Sequence, residues 1–344
     1  MIGRNLLSLV VFLAVLESSF AEDVSLPRNH GQTWKRYAIV AYTSNVVGSA
    51  KPEQAVIDWV LRDTGTDVWF SEPFGVLSVD RNWLYVYHTP EMQRIVRDVV
   101  DRLVQSRAER YVIGTRLVTI NSPNWRAKAL GIMQPISVKT PGLEAWLLSK
   151  ENAAILIKSM QKRSDFRDHH SRDLVMHNGQ SESIARMSPR TYFRAVRPRN
   201  DNLLNHQLEM GKVNEGFSLY FSTLISDGMI DAVIKCDIDQ VESFVPVTLN
   251  IPSVNRTTQP VQIQVPQVVK WRLHERFRWP TDKVLLISCG VVATPGPGKP
   301  GVLGVTNPFS SQSARADTLL FLETKGTARQ ALVDPPSKPA TLPR

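Results

Sequence analysis

Phe217-Ser218-Leu219-Tyr220-Phe221-Ser222-Thr223-Leu224-Ile225-Ser226-Asp227-Gly228-Met229-Ile230-Asp231-Ala232-Val233-Ile234-Lys235 is the stretch on which the fold of this chain turns. Phe217, Leu219 and Phe221 alternate with Ser218 and Ser222, the period of two that sets apolar side chains on one face of a strand and hydroxyls on the other. Asp227-Gly228 follows, a pair that tolerates the positive φ of a two-residue hairpin turn. Met229 to Lys235 then runs back, which predicts an antiparallel sheet. The flanking sequence repeats the signal. Leu174-Val175-Met176 leads into the turn His177-Asn178-Gly179-Gln180, and further strands are predicted at Phe244–Ile251, Val261–Val269, Val284–Val292 and Thr318–Thr324. Upstream, Tyr111–Ile120 reads as a long strand, Pro141-Gly142 as a turn, and Ser149 as the cap of a helix carrying Leu156, Ile157 and Met160. Many short-spaced strands after one helix predict a β-rich domain.

The pattern before Tyr111 is different. Tyr37–Tyr42 reads as a strand, and Pro52 opens a helix with Val56, Trp59 and Val60 on one face, stopping near Gly65. Asp67–Phe70, Gly75–Val79 and Trp83–Tyr87 read as short strands. Thr89-Pro90-Glu91 is a helix start: a cap residue, a proline in the first turn, and an acid at the positive end of the dipole. Met92, Ile95, Val96, Val99, Val100, Leu103 and Val104 then recur at helical spacing as a buried stripe. Arg94, Arg97, Asp98, Asp101 and Arg102 fall on the solvent side. Residues 37–105 therefore predict a small α+β module.

The chain has 344 residues, 41 Lys+Arg against 32 Asp+Glu, a net charge of +9 and two Cys. That length can bury a substantial core, and the ordinary composition excludes collagen, coiled coil and wholesale disorder. Two cysteines exclude a disulfide framework and a four-Cys zinc site. The positive charge favours acidic partners without choosing among them. Arg4 precedes an apolar run, Leu6–Leu16, of about eleven residues, a fit to a signal-peptide core and too short for a spanning helix. Ser19 and Ala21 suit a cleavage site, so residues 1–21 read as an export signal. No later segment reads as a transmembrane helix, which leaves a soluble chain or a closed β-barrel.

Several stretches carry residue types that could serve catalysis or ligand binding. Gly296-Pro297-Gly298-Lys299-Pro300-Gly301 matches a dinucleotide fingerprint in letters, but its prolines remove N–H donors and no helix pattern follows; it reads as a long hairpin loop. His169-His170, near Asp165 and Asp168, lack the spacing that aims two rings at one ion, and read as a solvated polar connection. No G-x-S-x-G elbow exposes a serine. Cys236 and Cys289 lie in predicted strands as two buried small side chains, with a single disulfide open to an exported chain. Arg186, Arg190, Arg194, Arg197 and Arg199, with Tyr192 and Phe193 among them, read as a solvated basic loop or a surface facing acidic polymer or lipid. An export signal disfavours nucleic acid for that run. The residues predict no enzyme, no cofactor and no metal.

The order of these elements resembles the secretins, the ring-forming outer-membrane proteins of bacterial type II and type III secretion systems, in a short and divergent form. Leu84-Tyr85-Val86-Tyr87-His88-Thr89-Pro90 and the helix after it resemble the close of a secretin periplasmic N-domain. The strand Val112–Ile120, the helix Glu151–Gln161, and Ser171-Arg172-Asp173-Leu174-Val175-Met176-His177-Asn178-Gly179-Gln180 resemble the opening strand, helix and "P-x-l-x-t-x-N-G-Q" segment of the secretin domain. Met210-Gly211, Phe217–Ile225, Ser226-Asp227-Gly228 and Ile230–Ile234 resemble the strand, "s-D-G" turn and strand that follow, and Arg315–Leu322 the closing strand. Arg172-Asp173 departs from the small residue and proline common there.

The resemblance implies an α+β fold, a small strand–helix N-domain at 36–107 followed by a β-rich secretin-like domain at 109–325, with a disordered Pro-rich tail at 326–344. Asn178, Gly179, Gln180, Asp227 and Gly228 would set strand register at turns. It implies a ring of identical subunits in the outer membrane or periplasm, working with other secretion-system components as a channel for protein export, without nucleic acid. A soluble periplasmic scaffold or binding protein that kept the fold without a pore is the alternative. The stretches Asn250–Val261 and Pro295–Pro308 are short and polar for gate or lip hairpins, and Phe217–Ile225 with Phe244–Ile251 would supply part of a lipid-facing band.

Overall fold

The computed structural model describes residues 26, 28–199, 202–252, 258–293 and 315–329. The leader read at 1–21 and the Gly-Pro loop at 296–301 lie outside the described residues; of the tail read at 326–344, residues 326–329 are described, and the last strand runs into it as far as Thr327. The architecture is α+β.

The N-terminal module contains β1 (Thr33–Ala38), α1 (Val40–Thr43), α2 (Gln54–Thr64), α3 (Asp67–Phe70), β2 (Val76–Val79), β3 (Trp83–His88) and α4 (Pro90–Ser106). Its antiparallel sheet runs β1-β3-β2. Thr89 caps α4 by accepting a hydrogen bond from the Met92 N–H, and Arg107 ends it in the left-handed conformation. Val96, Val99, Val100 and Leu103 pack on Val56, Trp59 and Val60 of α2 and on Leu84 and Val86 of β3. The expected strand Tyr37–Tyr42 is strand only at Tyr37 and Ala38, the end of β1, and turns helical after Ile39; the expected strand Asp67–Phe70 is a helical turn throughout. Ile39 and Tyr42 are both buried, at 1% and 0% exposure, and only a helical turn points residues three apart to one side. Val68 and Trp69, adjacent in sequence, both pack on the module core, whereas a strand would send them to opposite faces.

The second part contains β4 (Arg110–Ile120), α5 (Trp125–Ala129), β5 (Gln134–Ile136), β6 (Glu144–Ser149), α6 (Lys150–Gln161), β7 (Phe166–His177), β8 (Ser181–Arg199), β9 (Asn202–Ser226), β10 (Met229–Pro252), β11 (Thr258–Pro280), β12 (Lys283–Ala293) and β13 (Arg315–Thr327). They form a six-stranded sheet, β5-β6-β12-β13-β4-β7, and a four-stranded sheet, β11-β10-β9-β8. One face of the larger sheet buries Val118, Leu148, Leu286 and Phe321 against Trp125 of α5 and Leu156 and Met160 of α6. Its other face meets the smaller sheet through Leu117, Ile287 and Leu320 against Phe217, Phe221, Ile234 and Phe277. Helices, large sheet and small sheet are thus three layers around two apolar seams.

The short strands expected around 216–269 are fragments of much longer ones, with 25 residues in β9, 24 in β10 and 23 in β11. Prolines disguised them. Pro189 and Pro198 lie on β8 and Pro266 on β11, the two edge strands, which tolerate proline because one side of the strand has no ladder to donate to. Pro246 lies where β10 has already left β9 and has become an edge itself. The basic run Arg186–Arg199 is therefore a strand and not a loop. His169-His170 is also in a strand. A register shift between Leu117 and Val118 makes His169 an extra residue opposite β4, so both rings turn to the same neighbour. The nitrogen Nε2 of His169 lies 2.9 Å from Thr119 Oγ1, and that of His170 lies 3.2 Å from Thr115 Oγ1. Burial lowers the pKa of both imidazoles.

Candidate assembly surface

The turn after β7 is where the N-terminal module grips the sheets. Gly179 sits at φ +85°, and a Cβ there would lie 2.6 Å from both Leu103 Cδ2 and Tyr42 Oη. Nothing larger fits. Its N–H donates to the Thr223 carbonyl at 2.7 Å, and its carbonyl accepts from Trp59 Nε1 at 2.8 Å. The Tyr42 hydroxyl donates to the Asn178 carbonyl at 3.0 Å and accepts from Gln180 Nε2 at 2.8 Å. Burial is the main reason the Tyr42 hydroxyl is held far above its ordinary pKa, so it stays a donor. The Asn178 amide pairs both ways with the Ile225 backbone, at 2.7 Å in each direction. Asn178-Gly179-Gln180 thus joins β7 to β8, anchors the end of β9 and docks the module.

A charged lattice closes the same junction. Asp231 is 6% exposed, and Arg276 of β11 reaches both its carboxylate oxygens, with Nε at 2.8 Å from one and Nη2 at 2.6 Å from the other. Arg276 and Arg102 both pair with Asp63 at the end of α2. Arg62 donates to Ser222 Oγ at 2.7 Å and lies over the Trp59 ring, with Arg276 over the same ring. Arg102, expected in solvent, is therefore part of the docking face. Its signal in the sequence was indirect: Asp231 stands alone among Ile230, Ala232 and Val233, and a buried carboxylate demands a cation.

Above the junction the four-stranded sheet branches. The β9–β10 ladder ends at Gly216–Asp239, whereas β8–β9 continues to Arg199–Asn202 and β10–β11 to Pro252–Thr258. Gly216, at φ +144°, stands at the parting and presses on β8 on its other side, where a Cβ would lie 2.0 Å from the Arg186 carbonyl oxygen. Two hairpins result that no ladder bonds join to each other. The 14 or so residues of β10 beyond the branch carry it about 45 Å past the sandwich.

Each hairpin is two-faced. On β10–β11 the pairs Val245–Val265, Val247–Ile263 and Leu249–Val261 alternate with Pro246–Gln264, Thr248–Gln262 and Asn250–Pro260. Val245, Val247, Leu249 and Val265 are 36–48% exposed. On β8–β9 the apolar pairs are Phe193–Met210 and Val196–Leu208. The opposite faces turn toward each other, Tyr192 stacking on Phe244. The hairpins therefore meet through a polar and aromatic seam and present apolar ladders outward.

The remaining residues singled out in the sequence lie apart from this surface. Asp227 and Gly228, at φ 51° and 71°, form the tight turn between β9 and β10. Cys236 and Cys289 are free, buried thiols in the apolar layer between the two sheets. Among the described residues, no group of three or more His, Cys, Asp or Glu is placed to hold a metal ion. Asp165, beside Arg163 and accepting the Ser122 N–H, is held at a pKa of about 2, chiefly by the Arg163 hydrogen bonds; it ties β7 to the segment before α5. Among the described residues no helix is long and apolar enough to cross a membrane, which leaves crossing by strands open.

No protein-family profile matches the chain, and no curated protein matches it. Solved structures do. The Vibrio cholerae type IV competence pilus secretin PilQ is 12% identical over 92% of this chain and 82% of its own, with a TM-score of 0.25. The secretin-domain β-barrel of InvG from the Salmonella SPI-1 injectisome is 15% identical over 77% of this chain and 75% of its own, with a TM-score of 0.27. Aeromonas hydrophila ExeD is 12% identical over 95% of this chain and 65% of its own, again at 0.27. These three structures are secretins. At these identities and TM-scores the likeness says nothing of what the chain does, which has to be read from its own strands.

Proposed function

We propose that this chain is a secretin-like subunit of a multimeric outer-envelope channel for protein export, with no catalytic residue of its own. The observation that carries the reading is the hairpin pair. Strands β8 and β11 close the four-stranded sheet with outer sides that, among the described residues, carry no strand partner. A strand edge of 19 or 23 residues is a template for pairing. Side-by-side copies that pair β8 of one with β11 of the next would continue the sheet and close it into a barrel. The apolar ladders on the outer faces would then form a ring-shaped band, and the docked N-terminal modules a second ring beneath. The test is extraction of the full-length protein from envelope membranes in detergent, followed by negative-stain imaging and heated gel analysis. Heat-resistant rings support the reading, and a protein that is strictly monomeric and soluble without detergent sinks it.

One dimension favours a second reading. The ladder Val245–Leu249 spans about 14 Å at 3.4 Å per residue, roughly half of the ~25 Å apolar band of outer-membrane barrels. A periplasmic scaffold that kept the hairpins for pairing with a partner would need no more than that. Detergent dependence separates the two.

A further inference from the structure

The two free edges of the four-stranded sheet lie against one another above the branch. Three contacts make this seam. The Tyr192 ring of β8 stacks on Phe244 of β10, with centroids 5.7 Å apart and planes at 29°. The Arg190 guanidinium carbon lies 5.1 Å from the centre of the Phe244 ring while its Nη1 lies 3.3 Å from Glu215 Oε2, so one cation ties β8, β9 and β10. Finally, the backbone N–H of Phe193 donates to Gln264 Oε1 of β11 at 3.1 Å. Phe193 stands at the register shift between β8 and β9, where a bulge leaves a backbone group without a ladder partner. A side chain from the opposite edge satisfies it.

We infer that this seam is a latch: it holds the two hairpins face to face in the unassembled chain and keeps β8 and β11 from pairing with a neighbouring copy until it opens. What replaces the latch rests on the ring reading above. In a continued sheet β8 and β11 are opposite edges of the subunit, so the Tyr192–Phe244 stack must part. The seam is built for release. A stacked pair, a cation over a ring and a neutral hydrogen bond are each small contributions beside the apolar layer below the branch. An edge covered by its own chain is also protected from indiscriminate pairing during export.

The test uses the full-length chain with Phe193→Cys and Gln264→Cys, joined by a cleavable bis-maleimide; the native thiols are buried away from the reagent. The joined protein is expected to lose ring formation, and cleaving the linker to restore it. Phe244→Ala is expected to speed assembly about fivefold, the effect of losing one aromatic pair. Joined protein that assembles as readily as cleaved protein overturns the latch, as does a monomer in which the two positions do not join. If the wild-type chain forms no rings from envelope membranes, the ring reading fails instead. The latch is then decided by light scattering of Phe244→Ala: faster self-association than wild type supports it, and equal rates overturn it.

Discussion

Replacing Gly179 with alanine separates two costs that are usually tangled. Gly179 sits at φ +85° and Gly142 at φ +80°, so an L-residue suffers the same backbone penalty at either, about 1–2 kcal/mol. Around Gly142 no atom lies within 4 Å of the added Cβ, while at Gly179 the new carbon would lie 2.6 Å from Leu103 Cδ2 and Tyr42 Oη. Leu103 and Tyr42 are both fully buried, so neither can swing away. Overpacking of that kind adds about 1–3 kcal/mol. Gly142→Ala should therefore cost about 1–2 kcal/mol, and Gly179→Ala about 2–5 kcal/mol. Urea melts of the two variants, followed by tryptophan fluorescence and read as midpoint shifts at unchanged slope, measure the difference. Trp59, whose indole N–H donates to the Gly179 carbonyl, should report the loosening directly. Equal costs at the two positions would refute the claim that the module clamps this turn.

Arg276→Met leaves Asp231 buried with only Arg102 at 3.9 Å, and should cost about 2–3 kcal/mol by thermal melting, at the low end for a buried pair because the arginine side chain is 37% exposed; adding Asp231→Leu should recover part of the loss. Val247→Asp with Leu249→Asp, at positions 37% and 36% exposed, should leave the monomer within about 0.5 kcal/mol of wild type while abolishing partition into membranes on flotation. Acid should loosen the contact between the sheets. Burial depresses the folded-state pKa of His169 and His170 below 6.5, so their contribution is intact above pH 6.5 and falls away as pH drops from there toward the depressed value. His169→Gln with His170→Gln should flatten the melting-temperature profile across that range.

Much of this protein was legible as a string. The helix α4 announced itself because its cap, its first-turn proline and its apolar stripe are all local, and local chemistry needs no partner. The two turns at Asn178-Gly179 and Asp227-Gly228 were legible for the same reason, since they answer to φ angles within the turn. What misled were prolines and charges: Pro189, Pro246 and Pro266 broke long strands into short ones, and the arginines of β8 looked like a loop. Edge strands tolerate both, but whether a strand lies at an edge is a property of the sheet. Tyr42 and Trp69 likewise turned helical to reach buried positions that no local pattern encodes.

The sequence by itself determined the α+β order of elements, the hairpin turns and the buried stripe of α4, because each depends on residues a few positions apart. Only the tertiary structure decided that Asn178-Gly179-Gln180 is a docking site, that Arg102 and Asp231 belong to one charged junction, and that the four-stranded sheet splits at Gly216 into two hairpins. Those features join residues that lie dozens to hundreds of positions apart in the chain. Their geometry exists only once burial has chosen which side chains must meet.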